Sequence, residues 1–127
     1  MSKLKPEIKS RWVAALRSGE YQQGIAALRP TSDTFCCLGV LCDVVMPEMG
    51  LTWGKSTSRK TINGQNGNIP SLILEYISDD INNHYMFNKN PCVDNKTGYE
   101  ASTSLTALND SGNATFSQIA DLIEEQL

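Results

Sequence analysis

The stretch FCCLGVLCD, Phe35 to Asp43, sets Cys36, Cys37 and Cys42 within seven positions, three of the four cysteines in the chain. Thiols grouped in this way can hold a metal, exchange electrons or attack a substrate. A structural zinc needs ligands that converge tetrahedrally, usually from C-x2–4-C pairs on a tight knuckle. Adjacent Cys36 and Cys37 tend to point apart, and on a helix Cys37 and Cys42 stand about 140° from one another. Cys92 and the single His84 add no spacing that completes a set. No metal site is expected.

Nucleophilic catalysis needs a thiolate, favoured by a nearby cation or a helix N-terminus. Cys36 or Cys37 at the start of a helix would gain from the dipole, with His84 as the available base. The neighbours Phe35, Leu38, Val40 and Leu41 argue the other way, because an apolar shell holds a thiol neutral and free cysteine is among the most buried residue types. Cys37 and Cys42 are expected in the core. Cys36, at a strand-to-helix junction, is the one thiol whose reactivity stays open. The chain holds no P-loop, G-x-G-x-x-G, H-E-x-x-H or G-x-S-x-G pattern. The reading therefore leans away from an enzyme, and no cofactor is expected.

What remains is chemistry for binding. Arg17, Tyr21, Gln23 and Arg29 lie near the first helix, and Trp53 and Arg59 in the middle of the chain. Arginine grips a phosphate bidentately, an aromatic ring stacks on a base, and an amide reads a base edge. Asn109 and Asp110 join these candidates, although an Asn-Asp pair more often serves turn capping.

The elements that must position them follow from periodicity. KPEIKSRWVAALRSG reads as a helix, with Pro6 in its first turn, Ile8, Trp12, Val13 and Leu16 on one face, and Gly19 as its terminus. Tyr21 to Arg29 with Thr34 to Cys36 reads as a short hairpin across the turn formers Pro30 to Asp33. CCLGVLCDVVM is apolar on most sides and so predicts a buried helix, stopped by Pro47, with Gly39 where another backbone comes close. Short strands are expected at Leu51–Trp53 and 60–62, a helix over NIPSLILEYISDDI, and a long excursion through residues 82–103 with one strand pair. At the end, a short helix at Ser104–Asn109 precedes a last helix opened by the T-x-x-Q capping box of Thr115 and Gln118. The sum is a single α+β domain over residues 1–127, with about four helices, a small antiparallel sheet or hairpins, and a loop-rich middle at 52–103.

Composition bounds the class. The 127 residues are 40% hydrophobic and 20% charged, an ordinary globular balance long enough for one core. No apolar run approaches the roughly 20 residues of a membrane span, and MSKLKPEIKSRW has no signal-peptide core, so a soluble cytoplasmic protein with reduced thiols is expected. Residues 1–29 hold six Lys/Arg against Glu7 and Glu20. Residues 104–127 hold Asp110, Asp121, Glu124 and Glu125 with no cation. That asymmetry suits contact between the two ends or between copies of the chain, a homo-oligomer. The C-terminal helix pair has the outline of a helix-turn-helix regulator, but an acidic recognition helix would be repelled by phosphates, which disfavours sequence-specific DNA.

The blocks WVAALRSGEYQQG, FCCLGVLCD and SLTALNDSGNATFSQIADLIEEQL, in that order, resemble a group of small, mostly uncharacterised proteins of tailed bacteriophages. The resemblance covers residues 12–43 and 104–127. By analogy with other small phage proteins it implies a non-enzymatic accessory protein, in the cytoplasm of an infected bacterium, that counters host defence. One such strategy is to sequester a nucleotide-derived immune signal, of the cyclic ADP-ribose or cyclic dinucleotide kind. The alternatives are a protein–protein inhibitor or DNA mimic acting on a host protein through the acidic C-terminal helix, with Glu124 and Glu125 at its face, and a cysteine enzyme acting on the same signals.

Overall fold

A computed structural model describes residues 4–25, 27–54, 71–77, 92–93, 103–110 and 114–126. In chain order the elements are α1 (Pro6–Arg17), β1 (Gln22–Gln23), β2 (Thr34–Phe35), α2 (Cys37–Met49), α3 (Ser71–Ile77), β3 (Cys92–Val93), β4 (Thr103–Ser104), α4 (Leu105–Asp110) and α5 (Phe116–Gln126). The fold is α+β, with five helices among the described residues rather than about four.

One core holds it together. Ile8, Trp12, Val13 and Leu16 form the inner stripe of α1, as their spacing predicts, and pack with Ile119, Ala120 and Ile123 of α5 and with α2. Helix α2 buries Cys37 through Cys42 without interruption, together with Val45 and Met46. The Trp12 indole N–H donates to the carbonyl of Cys37 at 2.9 Å, so the largest core side chain also satisfies its polar atom on the first turn of α2.

The helix boundaries have local causes. After α1, Gly19 takes a left-handed φ of 80°. Thr115 and Gln118 close the expected capping box: the Thr115 N–H donates to the Gln118 side-chain oxygen at 2.9 Å, and the Gln118 N–H to the Thr115 hydroxyl at 3.2 Å. Pro47 does not stop α2. It lies inside the helix, where it forgoes one backbone bond, and the end falls at Gly50, with φ 73°. There the Gly50 and Leu51 amides turn back to Pro47 and Met46 at 3.2 and 3.0 Å, a Schellman arrangement.

The expected first hairpin is corrected by the pairing. β1 and β2 run parallel, Gln22 opposite Thr34 and Gln23 opposite Phe35. A hairpin needs a tight turn, whereas the ten residues between these strands loop outward and return. Leu28 fixes the return, its carbonyl accepting the Cys36 N–H at 2.9 Å while the Gly24 N–H donates to Phe35 at 2.8 Å. A second pair, β3 with β4, is antiparallel and falls in the excursion where one pair is expected. Leu51–Trp53 is not a strand, and residues 60–62 lie outside the described set, as does most of the loop-rich middle.

Candidate functional site

Two clusters lie at the junction of β1, β2 and α2. The first is a polar hub in the interior. Asn109, at the end of α4, is 1% exposed and the one buried polar residue among the described residues. Its side-chain oxygen accepts from the Gln23 amide at 3.0 Å and from the Cys37 backbone N–H at 3.2 Å. Its amide donates to the Gly24 carbonyl at 2.8 Å and to Asp110 at 3.2 Å. Gln23 spends its other N–H on the Ala114 carbonyl at 2.9 Å. Buried polar groups must be satisfied, and here the satisfaction joins β1, α2, α4 and the approach to α5. Gln23, Asn109 and Asp110 are thus engaged within the fold, and Asn109 faces the core rather than a ligand.

The second cluster is aromatic and half-buried. Phe35 packs edge-on to Tyr21, with ring centroids 5.0 Å apart, and lies 6.1 Å from Trp53. The Arg29 guanidinium sits 4.6 Å from the Phe35 ring centre and 5.5 Å from that of Trp53, within cation–π range of both. Asp43 takes the Tyr21 hydroxyl on one oxygen at 2.7 Å and the Trp53 indole N–H on the other at 2.9 Å. Burial, and then the hydrogen bond to Asp43, push the Tyr21 hydroxyl well above its ordinary value, so it stays a neutral donor.

Arg29 is the unfinished member. Of the five donors a guanidinium carries, the Ser32 carbonyl takes one at 2.7 Å. Its Nε is buried with no hydrogen-bond partner, and no carboxylate among the described residues pairs with it. A half-buried cation with open donors, held on two rings, is equipped to take an oxyanion.

The sequence candidates therefore separate. Tyr21, Arg29 and Trp53 come together. Arg17 does not join them, because it reaches from α1 to α5, with Asp121 at 2.5 Å and Glu124 at 3.2 Å. It also lines a groove of about 410 Å³ with Lys9, Val13 and Glu124. That groove's arginine already has its carboxylates, so the aromatic cluster is the stronger candidate. Arg59 lies outside the described residues, as does His84. Phe35 and Asp43 belong to the site without standing among the sequence candidates, although Asp43 carries a signal as the lone charge in CCLGVLCDVVM.

The thiols face inward. Cys36 caps α2, its sulfur accepting the Gly39 N–H at 3.4 Å, and burial pushes its pKa up to about 11. Burial likewise raises Cys37 and Cys42, and Cys37 donates to the Leu105 carbonyl at 3.6 Å. All three are free thiols. Among the described residues no group of His, Cys, Asp and Glu is placed to hold a metal, and no helix is long and apolar enough to cross a membrane.

A fold with a buried polar hub and one incomplete cationic cluster defines a small α+β domain, and its family is shown by comparison. Residues 4–127 match the model of a family described as Domain of unknown function (DUF8296), and the chain belongs to that family. No curated protein and no solved structure matches it.

Proposed function

We propose that this chain is a non-enzymatic accessory protein of a tailed bacteriophage. It works in the cytoplasm of the infected bacterium and counters host defence by binding and sequestering a nucleotide-derived immune signal, of the cyclic ADP-ribose or cyclic dinucleotide kind. The observation that supports the reading is the placement of Arg29, which offers a phosphate its terminal donors beside the rings of Phe35 and Trp53. Such a ligand joins a phosphate to an aromatic base, and a cation flanked by rings answers both parts.

The thiols support binding over catalysis, because burial keeps all three neutral at physiological pH. The acidic-helix reading draws less support, since Arg17 already spans Asp121 and Glu124 on α5. A helix-turn-helix reading has the same difficulty, and α5 packs along α1 through Ile119, Ala120 and Ile123.

Thermal-shift measurements with cyclic ADP-ribose and cyclic dinucleotides test the proposal. A melting temperature that climbs with ligand concentration is expected. Unchanged melting with all of them at high micromolar concentration would overturn it.

A further inference from the structure

We propose that the site reads the phosphate and not the base. Arg29 takes the oxyanion, while Asp43 occupies the polar edges of the rings beside it, so that any aromatic base is accepted in the same way. The inference rests on the functional reading above and deepens it to a ligand class: phosphate esters of nucleosides, with little regard to which nucleobase they carry.

Base discrimination needs donors and acceptors aimed at base edges, and an unsatisfied one rejects the wrong base strongly. The aromatic cluster carries two side-chain donors besides Arg29, on Tyr21 and Trp53, and each is already committed. The Tyr21 hydroxyl and the Trp53 indole N–H both donate to Asp43, at 2.7 and 2.9 Å. In the neighbouring interior hub, the Gln23 amide is likewise spent on Asn109 and Ala114, at 3.0 and 2.9 Å. Asp43 thus leaves the rings of Tyr21 and Trp53 to act as surfaces, and stacking is tolerant because every base has a π-face. The open polar capacity belongs to the terminal nitrogens of Arg29, on which the Ser32 carbonyl takes one hydrogen, and its charge has no carboxylate on it among the described residues. A guanidinium in that condition favours a phosphate oxygen, with which it forms charge-assisted, directional bonds.

Isothermal titration calorimetry on the unaltered protein tests this with AMP, GMP, CMP and UMP, the four matching nucleosides, inorganic phosphate, and cyclic di-AMP with cyclic di-GMP. The four nucleotides should bind within about fivefold of one another, as stacking alone would allow. Loss of the phosphate should weaken binding about tenfold or more, as for a charged hydrogen bond. Inorganic phosphate, lacking a ring, should bind more weakly than any nucleotide. A preference above about tenfold for one base, or nucleosides that match their nucleotides, overturns the inference while binding of the cyclic dinucleotides leaves the sequestration reading standing. Heat from none of the ligands overturns the inference and, with it, the cyclic dinucleotide form of the sequestration reading.

Discussion

Gly39 and Leu28 meet backbone to backbone: a Cβ on Gly39 would stand 1.8 Å from the Leu28 carbonyl oxygen. The same oxygen accepts the Cys36 N–H, so the chain returning from β1 lies directly on the first turn of α2. This contact sets the parallel register of β1 and β2 and, through Leu28, the position of its neighbour Arg29.

Gly39→Ala is therefore expected to destabilise strongly. On helix propensity alone the change would gain about 1 kcal/mol. The clash is with backbone, which cannot swing away as a side-chain tip can, and the expected net loss is about 3 kcal/mol or more. Urea denaturation measures it, and a variant as stable as the parent would show that the strand can back away from α2 freely.

Asn109→Asp changes one atom type and should cost about 2 to 3 kcal/mol. The carboxylate could still accept from Gln23 and Cys37 but would face the Gly24 carbonyl and Asp110 without a hydrogen to give. The loss should shrink at acid pH, where the new side chain is protonated and regains one donor. Denaturation midpoints at pH 4 and pH 7 check both parts. Equal losses at the two values would count against a hydrogen-bond origin.

Stability should also decline in alkali. The Cys36 thiol, ordinarily near 9.0, is held by burial at about 11, so the folded chain keeps the proton that the unfolded chain releases. Its contribution is fully present below pH 9 and is lost as pH rises toward 11, at a cost of about 2 to 3 kcal/mol. Cys37, Cys42 and Tyr21 shift in the same direction and add to the decline. Urea midpoints at pH 8, 9.5 and 10.5 should fall in that order, and Cys36→Ser, whose hydroxyl keeps the cap and does not titrate, should flatten the slope. An unchanged midpoint from pH 8 to 10.5 would contradict the burial of these groups.

What the sequence makes legible here is local. The stripe of α1, the Thr115–Gln118 box and the close approach at Gly39 each follow from the residues within a turn or two. The parallel pairing is not legible, because it depends on where Leu28 returns after a loop, and Pro47 misleads because its missing N–H costs one bond that packing of α2 outweighs. Arg17 and Arg29 look alike as candidates, and only the positions of Asp121 and Glu124 separate the paired cation from the open one. Asp43 escapes notice for a related reason: its role is defined by Tyr21 and Trp53, which lie 22 and 10 residues away.

Trp53 offers a direct report on the site. The chain has two tryptophans, and Trp12 is wholly buried with its N–H on the Cys37 carbonyl, so a ligand arriving at the cluster should perturb the emission of Trp53 alone. Titration with a cyclic dinucleotide is expected to quench emission by stacking, and Trp53→Phe should remove the signal while leaving Trp12 emission intact. Removing the ring's breadth should also weaken binding about tenfold, within the range measured for base–aromatic stacks. Arg17→Ala should leave both quenching and affinity unchanged, because that cation is spent on α5. Should Arg17→Ala abolish binding while Trp53→Phe spares it, the ligand would belong in the groove beside Lys9 and Val13 rather than on the aromatic cluster.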